Sequence, residues 1–206
     1  LGPQAGFLSM VVILAIQSLF FADGGLLALG ANCWNMAFYG CFVGYYLIWR
    51  PIMRSNLFGN RGACRAKIVL ASVLGCIVTL QLGAFSVVLE TELPFGTFVA
   101  IMQPIHLAIG LVEGLITSAV LIFVYEARAE LLEDAGAAEN EGKFSLKKTL
   151  AVLAVAAAVI GGGLSLFASS NPDGLEWSLF GNTEAGYSQN MGLSEDSYGL
   201  SGRASE

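Results

Sequence analysis

Histidine occurs once in these 206 residues, and only 13% of them are charged. A lone imidazole, His106, cannot by itself make a site built from several histidines. Soluble domains run at about 25% charged residues, so the shortage of charge excludes an ordinary water-facing surface. Ten basic residues form no stripe interleaved with aromatics, which excludes a nucleic-acid partner. The four cysteines, Cys33, Cys41, Cys64 and Cys76, make no Cys-x-x-Cys pair and read as small apolar filler. There is no Gly-x-Ser-x-Gly elbow and no glycine loop closing on a lysine. Acyl transfer and nucleotide hydrolysis therefore have no local signature, and the chain reads as a non-enzyme whose energy comes from partners.

What the sequence has is apolar length. Fifty-five per cent of the residues are apolar, gathered in five blocks at roughly 3–22, 27–49, 67–89, 96–125 and 148–169. Each is long enough to cross about 30 Å of hydrocarbon at about 1.5 Å per helical residue. Lipid offers no partner for backbone N–H and C=O groups, so each block is predicted to be a helix. The fold class is an all-α, polytopic transmembrane bundle of about five spans.

The charges between the blocks give an orientation. Arg50, Arg54, Arg61, Arg65 and Lys67 follow the second block, and Arg128, Lys143, Lys147 and Lys148 follow the fourth; Arg203 is the only other basic residue. Five crossings put both basic groups on one side. The positive-inside rule makes loops 50–67 and 126–148 cytoplasmic, with Asp23, Glu90, Glu92 and the tail after 170 outside. Three regions follow: a bundle over 1–126, a linker over 127–147, and a module over 148–206.

Polar residues inside the spans mark candidate sites. His106, Gly110, Glu113 and Thr117 lie at i, i+4, i+7 and i+11, on one helical face. An ionisable group at mid-bilayer costs about 2.5–3.5 kcal/mol, and surrounding apolar residues return about 0.3–0.6 each. Twelve Leu, Ile, Val and Phe residues between 105 and 124 carry Glu113 in, and this face is expected to turn into the bundle. It reads either as a polar pathway or as an interhelical hydrogen bond. Asp23, Gly24 and Gly25 break the chain between the first two blocks, and Asn32 and Asn35 open the second, where amides bond across helices. Gly40/Gly44, Gly110/Gly114 and the run Gly161–Gly163 read as close-packing points.

Three of these stretches, in register, carry a resemblance. Leu1-Gly-Pro-x-Ala-Gly6 with Gln17-Ser-Leu-Phe-Phe-Ala-Asp-Gly-Gly-Leu-Leu-Ala-Leu-Gly-Ala-Asn-x-x-Asn-Met36 resembles the membrane subunit of nickel and cobalt energy-coupling-factor transporters, the CbiM/NikM family. His106-x-x-Ile-Gly-x-x-Glu-Gly-Leu-Ile-Thr117 is similar to its later signature. Pro172, Asp173, Gly174, Leu175 and Glu176 resemble the PDGLE-type (NikN-like) module fused to such subunits. The resemblance implies capture of Ni2+ or Co2+, nickel slightly preferred, by a multi-pass protein of the inner membrane. A transmembrane coupling subunit and two cytoplasmic ATPase subunits would drive release, and a cobalt role would tie the protein to cobalamin synthesis. It also implies that the ion's ligands, a free amino terminus and nearby histidines, lie upstream of Leu1. The sequence is thus expected to lack N-terminal helices and a final C-terminal helix, with no cofactor bound by this fragment. Asp23, Gly24, Gly25, Asn32, Asn35, His106, Glu113 and Thr117 become supports or pathway groups. A membrane enzyme or proton-linked carrier using His106 and Glu113, and a non-transporting assembly subunit, are the alternatives.

The orientation is checked by single cysteines placed in 50–67 and 126–148 of a background lacking the native four. Both are expected to resist a membrane-impermeant thiol reagent in intact cells and to react after lysis.

Overall fold

The structure, a computed structural model, describes residues 2–20, 25–56, 63–90, 95–132 and 144–167. Five helices in it are long and apolar enough to cross a membrane. Helix α1 is Gly2–Phe20. Helix α2 begins as an ordinary α-helix over Gly25–Asn32, widens to a π-helix over Cys33–Trp49, and closes with an α-turn, Arg50–Arg54. Helix α3 is Ala63–Glu90 and α4 is Phe95–Arg128, extended by the 3-10 turn Ala129–Leu131. Helix α5, Leu146–Ala158, continues into a π-turn, Val159–Gly163, and a 3-10 turn, Leu164–Phe167. No strand occurs among the described residues.

The packing order is α1 on α2, α2 on α3 and α3 on α4, while α5 touches the bundle lightly, through α4. The surface is inverted relative to a soluble protein. Leu27, Phe20 and Leu47 are 78%, 77% and 71% exposed, whereas Ser72, Thr79, Ser86, Ser118 and Thr149 are buried. Such a distribution suits a hydrocarbon solvent, where helix contact depends on small residues and hydrogen bonds because lipid is as apolar as leucine. Two of these hydroxyls return to their own helices, Ser118 Oγ donating to Gly114 O at 2.6 Å and Thr79 Oγ1 to Gly75 O at 2.8 Å, whereas Ser72 Oγ has no hydrogen-bond partner among the described residues. A small apolar core, Ala84, Val88, Phe98 and Met102, joins α3 to α4 near one end.

Glycine sets the α3–α4 distance. A Cβ on Gly110 would stand 2.9 Å from Ile77 Cα, and one on Gly114 would stand 2.6 Å from Val73 Cα. Both are backbone atoms that cannot rotate away. The other two glycine readings need correction. Of Gly40 and Gly44 only Gly44 packs, its missing Cβ 3.2 Å from Thr79 Cγ2, while Gly40 is exposed. Close approaches of the widened α2 to α3 occur at Asn35 and Gly44, while a Cβ on Gly40 would meet no atom within 4 Å. A Cβ on Gly161, Gly162 or Gly163 would meet no described atom within 4 Å, so this run serves no close approach among the described residues.

Helix ends also differ from the apolar blocks. Helix α2 runs to Arg54, five residues past its block, and α3 starts at Ala63. Hydropathy marks where hydrocarbon stops; the backbone ladder continues wherever its last carbonyls find donors. Here Lys67 Nζ reaches across from α3 and donates to Met53 O at 3.4 Å and to Ser55 O. Arg65 pairs with Glu126 at 2.8 Å, and Arg128, the last residue of α4, pairs with Glu130. The start of α3, the end of α2 and the end of α4 therefore share one basic end. The central parts of both loops and the tail from 168 onward lie outside the described residues.

Replacing Gly114 by Leu is expected to cost about 1–3 kcal/mol through overpacking. Gly75→Ala, on the same interface helix but with no atom within 4 Å of its Cβ position, is expected to be neutral or stabilising by up to about 1 kcal/mol. Thermal unfolding of the two purified variants in detergent measures the difference.

Candidate functional site

Opposite the basic end, α2, α3 and α4 expose their other termini, and polar side chains link α2 to α3 there. Asn35 Nδ2 donates to Glu90 Oε2 at 3.0 Å, and Ser86 Oγ donates to Asn35 Oδ1. The helices can come this close because α3 carries Gly83, whose Cβ would lie 2.5 Å from Asn35 O. Asn32 is half-buried one turn earlier, and Gly25 is the first helical residue of α2. Asp23 and Gly24 lie outside the described residues, as do Pro172, Asp173, Gly174, Leu175 and Glu176.

Deeper in the span, α3 and α4 exchange amides. Gln81 Nε2 donates to Gln103 O at 2.7 Å, and Gln103 Nε2 donates to Gln81 O at 3.2 Å. This reciprocal clasp sits immediately before Pro104, which has no N–H to offer the turn above it. One turn further on, His106 Nδ1 lies 3.0 Å from Met102 O of its own helix. Cys76 Sγ on α3 approaches Thr117 Oγ1 at 3.8 Å.

The signature face of α4 is thus divided. Gly110 is buried against α3, His106 and Thr117 are half-buried, and Glu113 is exposed. The buried line of α4 runs through Phe98, Met102, Gly110, Gly114 and Ser118. Glu113 precedes Gly114 by one residue, about 100° around the helix, and so flanks that line instead of lying on it. Asn35 finds its partners on α3, His106 within α4, and Thr117 on α3. The structure shows no contact joining these three. Among the described residues no group of three or more His, Cys, Asp or Glu could hold a metal ion.

Gly83, Ser86, Gln81 and Gln103 are not among the residues singled out by the sequence, and Glu90 enters there only as an outward charge. Gln81 and Gln103 carried a usable signal, being amides inside apolar runs. Ser86 and Gly83 carried none, since small residues are frequent in such helices.

The cobalt uptake substrate-specific transmembrane region (CbiM) matches residues 1–131. The chain belongs to the CbiM family. A PDGLE domain follows over residues 147–203. The chain is similar to a putative fused nickel transport protein NikMN of Archaeoglobus fulgidus, 39% identical over 157 residues, which cover 75% of this chain and 50% of that protein. It is 31% identical to the fused nickel transport protein NikMN of Rhodobacter capsulatus, over 64% of this chain and 42% of that one. A cobalt transport protein CbiM of Sorangium cellulosum is 33% identical over 65% of this chain and 59% of its own length. The chain spans about half the length of the curated relatives it matches. No solved structure matches it. In this CbiM-family chain the early signature includes Asn35 of the α2–α3 link, and the later one contributes Gly110 and Thr117 to the α3–α4 seam.

Because His106 bonds within its own helix, His106→Leu is expected to change stability by less than about 0.5 kcal/mol. Gln81→Leu, which breaks an interhelical clasp, is expected to lose about 0.6–1.7 kcal/mol. Unfolding of both variants in one detergent provides the comparison.

Proposed function

We propose that this chain is part of the substrate-capturing membrane component of an ATP-driven nickel or cobalt uptake transporter. The observation that carries the reading is the order of its parts: a CbiM region over 1–131 followed by a PDGLE domain over 147–203, the pairing also implied by the fused nickel transport proteins it resembles. That likeness inclines the reading toward nickel, with cobalt the alternative through the CbiM relatives.

In this reading the ion is received at the Asn35–Glu90 end, which the positive-inside rule puts outside the cell. The basic end faces the cytoplasm, where the coupling subunit and two ATPase subunits dock. Arg65 and Lys67 already hold Glu126 and the last carbonyls of α2, so docking meets a braced surface. The closely packed α3–α4 hairpin is the rigid element against which an ion-bearing loop closes. His106, Glu113 and Thr117 support the ion's passage or the bundle's packing, while Asp23 to Asn35 support the outer mouth. The tail carrying Pro172 to Glu176 is extracytoplasmic in this arrangement.

Cells expressing the full-length gene with its partner subunits are expected to accumulate labelled nickel, or cobalt, well above cells with a catalytically dead ATPase. Equal accumulation of both ions in the two strains overturns the reading.

A further inference from the structure

One residue of α2 is held by three positions of α3. Asn35 Nδ2 donates to Glu90 Oε2, Ser86 Oγ donates to Asn35 Oδ1, and Gly83 leaves room for the Asn35 backbone carbonyl. Residues 83, 86 and 90 stand at i, i+3 and i+7, so they share a face of α3. The two carboxamide heteroatoms of Asn35 have opposite needs: the oxygen only accepts and the nitrogen only donates. Glu90 selects one orientation, since a flipped amide would set its oxygen against the carboxylate; the Ser86 hydroxyl, which can donate or accept, completes that orientation. Ser86 Oγ also lies 3.0 Å from Gly83 O of its own helix, so its single proton is shared between that carbonyl and Asn35 Oδ1.

Asn35 stands three residues beyond Asn32, where α2 changes from α to π geometry. The change of helical repeat at this point alters which residues of α2 share a face. A side chain pinned from both ends at this point fixes the rotation of the outer end of α2.

We infer that Ser86 and Glu90 are positioning residues for ion capture: they hold the Asn35 carboxamide, and with it the outer end of α2, without ligating the ion. The inference rests on the proposed transport reading for its functional consequence, although the clasp can be tested without transport. A competing account makes Glu90 an electrostatic attractor for the cation, and the two diverge on Glu90→Gln. Glutamine keeps an oxygen that accepts from Asn35 Nδ2 but carries no charge.

The experiment uses the full-length protein with its partner subunits, and reads KM and maximal rate for nickel and cobalt uptake alongside folded yield. Hydrogen exchange is followed in the same purified proteins over the first turns of α2. Glu90→Ala is expected to raise KM by about tenfold, or about 1.4 kcal/mol, with maximal rate and yield near wild type. It is also expected to speed exchange at 30–36. Glu90→Gln is expected to restore both. If Glu90→Ala fails to fold, Ser86→Ala and Ser86→Thr supply the same pair of disruptive and conservative changes. Equal impairment by Glu90→Gln and Glu90→Ala overturns the inference in favour of charge, and an unchanged KM with unchanged exchange overturns it outright. Absence of uptake in the wild type counts against the transport reading alone. Exchange then decides the clasp: faster in Glu90→Ala but not in Glu90→Gln sustains it, and no difference ends it.

Discussion

The approach of α3 and α4 at Gly110 and Gly114 constrains the rest of the structure. With Cβ positions 2.9 and 2.6 Å from backbone atoms of Ile77 and Val73, the two helices touch main chain to main chain. That contact fixes which residues face each other above and below it. It brings Gln81 opposite Gln103, Cys76 opposite Thr117, and Arg65 opposite Glu126. In hydrocarbon no hydrophobic force pulls helices together, so close packing and hydrogen bonds must do so. The glycines permit both.

Helix α2 meets this hairpin by a different route. It contributes no pair of glycines to a close crossing, since only Gly44 packs. Instead α3 supplies Gly83, and Asn35 supplies the polar link. Along α2 aromatic rings line up at every fourth residue, with Trp34 stacked on Phe38 at 4.4 Å and Phe38 beside Phe42 at 5.6 Å. Phe42 in turn packs on Phe7 of α1 at 5.4 Å. The order of packing, α1 to α4, therefore passes from ring contacts to backbone contacts.

The candidate site was legible in part. Asn35 stood out because an amide beside a glycine-rich break in an apolar chain needs a partner. Its partners did not, because Ser86 and Glu90 look like ordinary residues near a helix end. Glu113 is costly in hydrocarbon, and helical spacing puts it on one face with His106, Gly110 and Thr117, a face expected to turn inward. The bundle buries the glycines of that face and leaves Glu113 at its edge, because a close crossing selects the smallest residues, not the most polar ones.

Apolar length and the scarcity of charge were enough, by themselves, to determine five spanning helices, their approximate bounds, and the common end shared by Arg50, Arg54, Arg65, Lys67 and Arg128. These depend on transfer from water to lipid, a property of each segment alone. Three spacings of polar and glycine residues likewise sufficed for the family. Only the tertiary structure decided which glycines are contacts, where α2 widens, and that Asn35 answers to Ser86 and Glu90. Those outcomes depend on how two helices cross, and the crossing is settled by atoms 22 to 55 residues apart in the chain.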